Sequence, residues 1–266
     1  MITSPKKIAI YRCVFGDYDI VLDERVVIPE ANYYLFTDDP SLEVYPYRKI
    51  LITKVNDSPS LTNRSLKLVI PDRLVSYDMT IYLDGNIGVF SSLRKLINEF
   101  LASKADIGLF THPNHSSLEG EIELCILNNK SLEKELRAEL AFYSQSAYPK
   151  VEKFSDNSIL FRKKPTKNTC EALIEWLALV KKFSGRDQLS LPFIRSKYSL
   201  NEHFFDFSPR TRGNQYFIVF PHKIKSSSIW TLNLFKFRLI FKLKKILLFY
   251  LFIKNSVHDK YHGRLQ

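Results

Sequence analysis

The 266-residue chain is 45% hydrophobic and 25% charged, with 20 Phe and 14 Tyr, a composition that builds a core and excludes disorder over most of the length. Its net charge of +11 is unevenly spread: the segment from Lys223 to Gln266 holds ten Lys or Arg against the one acid Asp259, or +9, leaving +2 on the first 222 residues. A nearly neutral body excludes a basic nucleic-acid-binding face but stays compatible with a local basic patch for a phosphate-bearing small molecule.

Taken along the chain, residues 8–15 (IAIYRCVF) read as a buried strand, followed by the polar turn Gly16-Asp17-Tyr18-Asp19. A second strand over 33–37 stops at Asp38-Asp39-Pro40, and 47–54 read as a third. Residues 59–75 have helical spacing interrupted by Pro71. Residues 79–83 (MTIYL) form another buried strand, ending in Asp84-Gly85-Asn86. A helix capped by Ser91 or Ser92 spans 91–103, and a strand over 106–111 closes at His112-Pro113. Residues 118–145 carry one helical pattern, 159–162 a short strand and 169–183 a helix around Trp176. Residues 187–194 begin a further element and 216–220 form a last strand. Alternating strands and helices predict an α/β domain with a mostly parallel sheet, in which ligands sit beyond the carboxyl ends of the strands. The polar clusters at 16–19, 37–39, 84–86 and 112 then share one rim.

Cys13, Cys125 and Cys170 are far apart and form no CxxC pair, so a zinc knuckle or redox pair is excluded and each reads as a reduced core residue. The first residues show no leader segment, which sets the expectation of a cytoplasmic protein. The histidines lack HExxH spacing, and neither GxSxG nor GxxxxGK[ST] occurs, leaving zinc-hydrolase, esterase and P-loop readings without support.

Three clusters carry candidate chemistry. In Tyr82-Leu83-Asp84-Gly85-Asn86 a strand delivers two oxygen donors two residues apart, a pair suited to Mg²⁺ or Mn²⁺; a plain Asp-Gly turn, common between strands, is the more frequent explanation of such a cluster. In Asn63-Arg64-Ser65-Leu66-Lys67 the two bases share a helix face and match phosphate oxygens, although most such pairs are solvated. Ser184-Gly185-Arg186-Asp187-Gln188 packs polar residues between apolar elements, as a buried network or as a base and hydroxyl-binding group. Glu121 and Glu123, after His112, add an acid pair. Residues two apart on a helix do not share a face, so at most one needs to enter a site.

Together YRCVFGDYD (11–19), YYLFTDDP (33–40), NRSLK (63–67), YLDGNI (82–87), His112 with Glu121-Ile122-Glu123, ILFR (159–162) and Trp176 with SGRDQLS (184–190) resemble the glycosyltransferase-like family known as domain of unknown function 616. The resemblance spans roughly residues 8–195, and the family includes plant mucilage and pectin-type proteins and bacterial polysaccharide-locus proteins. It implies a GT-A-type, Rossmann-like domain over residues 1–222 that uses a nucleoside-diphosphate sugar. Asp84 and Asn86 would stand at the metal-binding Asp-x-Asp position, with Asn86 replacing the second Asp. Gly16, Asp17, Thr37 and Asp38 would meet the nucleoside, and Asn63, Arg64, Lys67 and Asp84 the donor diphosphate. Asp187 and Glu121 are the candidate bases, with His112, Glu123, Arg186 and Gln188 toward the substrate. The expected reaction is sugar transfer to a glycan or lipid-linked acceptor, in bacterial surface polysaccharide synthesis. A nucleotidyltransferase and a non-catalytic nucleotide-sugar-binding protein are the alternatives.

Residues 229–253 are apolar but broken by Lys236, Arg238, Lys242, Lys244 and Lys245, too short an uncharged run to span a membrane. Trp230, Leu234, Phe237, Phe241, Leu248 and Phe252 fall near one helical face. Segment 223–266 is therefore expected to lie on an anionic membrane surface at the inner face; packing on the domain or on a partner is the other reading.

Overall fold

A computed structural model describes residues 6–19, 21–53, 58–112, 117–146, 148–149, 154–211, 214–220 and 222. The basic segment 223–266 and His115 lie outside them.

The centre is a seven-stranded sheet built from β1 (Ile8–Val14), β2 (Ala31–Thr37), β3 (Arg48–Leu51), β4 (Met79–Leu83), β6 (Ile107–Thr111), β7 (Ser155–Lys163) and β8 (Glu202–Phe205). Their order is β3-β2-β1-β4-β7-β6-β8. All neighbours pair in parallel except around β7, which runs against both β4 and β6. The fold is thus mixed α/β with a mostly parallel sheet. A small antiparallel pair, β5 (Ile87–Val89) with β9 (Phe217–Val219), lies beside it.

Strands β1 and β4 are buried along their whole lengths, which explains their near-continuous apolar sequences. Alternate residues feed two cores. Ile8, Ile10, Val14, Ile81, Leu83, Ile159 and Phe161 pack with Leu96, Ile97 and Phe100 of α2 (Arg94–Ala102). Ala9, Tyr11, Cys13, Tyr82 and Leu160 pack on the other face under α1 (Pro59–Leu68), α5 (Lys167–Lys182) and α6 (Asp187–Lys197). A third cluster joins α3 (Leu118–Leu127) and α4 (Glu133–Ser144) to Phe154 and Leu189.

Several expectations need correction. Helix α1 ends at Leu68, and the residues after Pro71 form only a short 3₁₀ turn, because proline cannot continue the ladder. The single helical pattern over 118–145 is two helices; Asn129 takes a left-handed conformation (φ 49°) that ends the first. Strand β7 has nine residues instead of four. Cys13 and Cys125 are buried and free as expected, but Cys170 is exposed on α5, so it is no core residue. No helix among the described residues is long and apolar enough to cross a membrane.

Candidate active site

A cavity of about 1010 Å³ opens at the carboxyl ends of β1 and β4, where α1, α3, α6 and the end of β9 meet. Each wall is set by local chain geometry. After β1, Gly16 and Asp17 both adopt left-handed backbone (φ 67° and 56°). A Cβ on Gly16 would sit 2.7 Å from Pro59 Cβ, so only glycine lets the turn pass beneath the start of α1. The Gly16 N–H donates to both Asp38 carboxylate oxygens at 3.2 Å, and Asn63 Nδ2 donates to Cys13 O at 2.5 Å. These bonds join the ends of β1 and β2 to α1.

The floor is the turn after β4. Asp84 N–H donates to Ser158 O at 2.8 Å, and Arg12 Nη1 donates to Asp84 O at 2.8 Å. Asp84 Oδ1 accepts from Tyr82 OH at 2.8 Å and from Lys67 Nζ at 3.3 Å. Lys67 Nζ also lies 2.8 Å from Asp187 Oδ2, and both of those side chains are only 7% exposed. One buried ammonium therefore bridges a carboxylate at the end of β4 and another at the start of α6. Burial pushes the Asp84 pKa up, with Lys67 and Tyr82 opposing. Burial also raises that of Asp187, but Lys67, Arg64 and Arg186 outweigh it and hold this carboxyl below the ordinary range.

Two guanidinium groups flank this bridge. Arg64 donates through Nε to Gly185 O at 2.5 Å and through Nη1 to Ser60 Oγ at 3.1 Å. Arg186 Nη2 donates to Gln188 Oε1 at 2.9 Å, and its buried Nε has no partner among the described residues. Among the described residues neither arginine is ion-paired with a carboxylate.

Of the residues expected in the site, Gly16, Asn63, Arg64, Lys67, Asp84, Asn86, His112, Glu121, Arg186, Asp187 and Gln188 line this cavity. Glu121 is buried and faces inward, whereas Glu123 pairs with Arg137 at 2.6 Å on the outer face, as helical spacing requires. Thr37 is fully buried and accepts from Asp39 N–H, and Asp38 holds the Gly16 turn from behind. Asp17 stands in the turn, but not on the cavity wall. Sequence reading missed Asp156, Asn157 and Ser158 of β7, Arg210, which pairs with Asp156 at 2.7 Å, and His222, whose Nδ1 lies 2.6 Å from Asp19 Oδ1.

Asp84 and Asn86 were expected to hold a divalent cation. Asn86 is 4% exposed and its Nδ2 donates to Phe220 O at 2.9 Å, which ties the end of β9 to the β4 turn and leaves only the neutral Oδ1 as a ligand atom. Asp84 Oδ1 already serves a phenol and an ammonium. Among the described residues no three His, Cys, Asp or Glu side chains come together as metal ligands. With Lys67 already at Asp84 and a neutral amide in place of a second carboxylate, the donor set is a poor fit to Mg²⁺ or Mn²⁺, which bind through one or two carboxylates with water and phosphate oxygens.

No protein family matches the sequence, and no curated protein matches it. Among solved structures, mouse xyloside xylosyltransferase 1 in its apo form is similar with a TM-score of 0.46 and 12% identity, over 76% of this chain and 86% of that chain.

Proposed function

We propose that the chain is a glycosyltransferase whose GT-A-type domain binds a nucleoside-diphosphate sugar in this cavity and transfers the sugar to a glycan or lipid-linked hydroxyl. The observation that carries the reading is the pair Arg64 on α1 and Arg186 at the start of α6: two guanidinium groups on the cavity wall whose side-chain hydrogen bonds among the described residues go to neutral oxygens, and which share the nearby Asp187 with Lys67. Such groups call for an anion, and a diphosphate matches their planar forks. The cavity, at about 1010 Å³, also has room for a nucleoside, a sugar and an acceptor group.

In the proposed step the bond from the anomeric carbon to the diphosphate oxygen breaks, and its electron pair stays on the leaving nucleoside diphosphate. The acceptor oxygen forms the new bond to carbon, and its proton passes to a carboxylate. Asp187 is poorly suited to take it, because protonation would break its ion pair with Lys67 and its pKa is already depressed. Glu121 lines the same cavity, is not one of the carboxylates paired with Lys67, and is the proposed base. The basic segment 223–266 would bring the enzyme to an anionic membrane carrying its acceptor.

The test is a thermal-shift and turnover screen of UDP-, GDP-, dTDP- and CMP-sugars. Saturation with the right donor is expected to raise Tm by roughly 5 °C. Glu121→Gln is expected to keep that shift and lose at least about 100-fold in turnover. No shift with any donor, alone or with acceptor glycans, would remove the reading.

A further inference from the structure

A GT-A reading ordinarily carries a divalent cation that neutralises the diphosphate, and this chain has a different cation in that place. Lys67 Nζ sits 3.3 Å from Asp84 Oδ1 and 2.8 Å from Asp187 Oδ2, under the Tyr82 ring at 5.3 Å, with its side chain 7% exposed. A divalent ion on Asp84 would face this ammonium across one carboxylate, a repulsion that a partly desolvated floor strengthens. Asn86, the other expected ligand, contributes no charge, and its amide orientation is set by the Nδ2 bond to Phe220 O.

The lysine is also held to stay. Helix α1 delivers it at its last turn, where Arg162 Nη1 donates to Lys67 O at 2.7 Å and Leu68 O at 3.0 Å. An ammonium has three donors. Asp84 takes one and Asp187 lies within ion-pair distance of the same nitrogen, which leaves at least one for the cavity that Lys67 lines.

We propose that the site works without a divalent metal: Lys67, set between Asp84 and Asp187, is the resident cation, and with Arg64 and Arg186 it holds the donor diphosphate and receives the charge of the leaving group. This rests on the nucleotide-sugar reading. The bond changes are those given above; the electron pair left on the leaving oxygen meets fixed side-chain cations. Asp84 and Asp187 then orient the ammonium instead of ligating metal.

The experiment is calorimetric titration of the full chain with inorganic pyrophosphate and with nucleoside-diphosphate sugars, in EDTA and again with excess Mn²⁺. Both probes are expected to bind in EDTA, with Mn²⁺ changing affinity less than about threefold. Lys67→Met is expected to weaken both at least about tenfold, and Lys67→Arg to restore most of the loss. Arg64→Gln/Arg186→Gln, which leaves the Lys67 bridge in place, is expected to weaken them similarly and keeps the test valid if Lys67→Met does not fold. Binding that needs Mn²⁺ and vanishes in EDTA overturns the proposal and leaves the transferase reading standing. Pyrophosphate binding in EDTA without any nucleotide-sugar binding supports the built-in cations and removes the transferase reading. No binding of either probe in either condition overturns both.

Discussion

Two arginines, Arg12 on β1 and Arg162 on β7, are each 1% exposed, and they support the site from opposite faces of the sheet. Arg12 holds the floor turn, donating to Asp84 O at 2.8 Å and Gly85 O at 3.4 Å, and its charge is met by buried Glu24 and by Tyr47 OH at 2.6 Å. Arg162 holds the end of α1 through the carbonyls of Lys67 and Leu68 and donates to Tyr11 OH; carbonyl dipoles at a helix C-terminus, not a carboxylate, meet its charge. One arginine fixes Asp84 and the other fixes Lys67. The ion pair at the heart of the cavity is therefore set by two buried charges with different counter-charges, and removing each should fail differently.

The largest effect is expected from Arg12→Met. It leaves Glu24, 5% exposed, without its cation, which costs about 3–5 kcal/mol and a Tm fall of roughly 10 °C. Adding Glu24→Gln should recover more than half of that loss, because the stranded charge goes too. A double variant as unstable as the single one would show that the cost lies in the turn contacts instead.

Arg162→Met strands no acid. It should cost only about 1–3 kcal/mol for the unsatisfied carbonyls and phenol. It should nonetheless weaken pyrophosphate binding about tenfold, since Lys67 loses its register although Arg162 itself does not line the cavity. Arg162→Lys is expected to rescue little, because a single ammonium cannot reproduce a fork that serves two carbonyls and Tyr11. If calorimetry finds unchanged affinity in Arg162→Met, its role is in folding alone.

Neither arginine stood out in the sequence, and the reason is instructive. Each is one charge inside an apolar run, YRCVF and ILFRK, whose pattern already read as a buried strand. A charge amid fully buried strand residues was the available signal. The parallel half of the site was legible: Gly16, Asp84 and His112 follow their strands directly, so they share the rim where parallel strands end. Asp156, Asn157 and Ser158 were missed because β7 runs the other way. Leu83 pairs with Ile159, so the residues that open β7 lie beside Asp84 at the same rim. A search after strand ends passes over residues that begin a strand. Arg210 and His222 reach the cavity from after β8 and after β9, across contacts no local spacing encodes. Strand β8, four residues long and half exposed, gave no buried run to read.

The third charged residue of the cavity bridge, Asp187, is supported differently again, and this gives the smallest predicted effect. Its loop is held by an acid: Ser184 Oγ and N–H both donate to Glu139 Oε2 on α4, and Glu139 is 1% exposed. Burial pushes the Glu139 pKa up to about 7 from 4.5, with the Ser184 bonds opposing. Below pH 4.5 the carboxyl is protonated folded or unfolded, and its contribution to stability is fully present. Between pH 4.5 and 7 the unfolded chain ionises first, so stability falls as pH rises and levels off above 7. The whole shift corresponds to roughly 3 kcal/mol, and local opening of the loop should reduce what global unfolding reports to ~1 kcal/mol. Glu139→Gln keeps an acceptor for Ser184 and has no proton to lose. Its Tm should therefore lack the decline between pH 5 and 7.5 and should meet or exceed the parent above neutrality. A decline of equal size in both proteins would mean that another group titrates, and that the Asp187 loop does not depend on the protonation of Glu139.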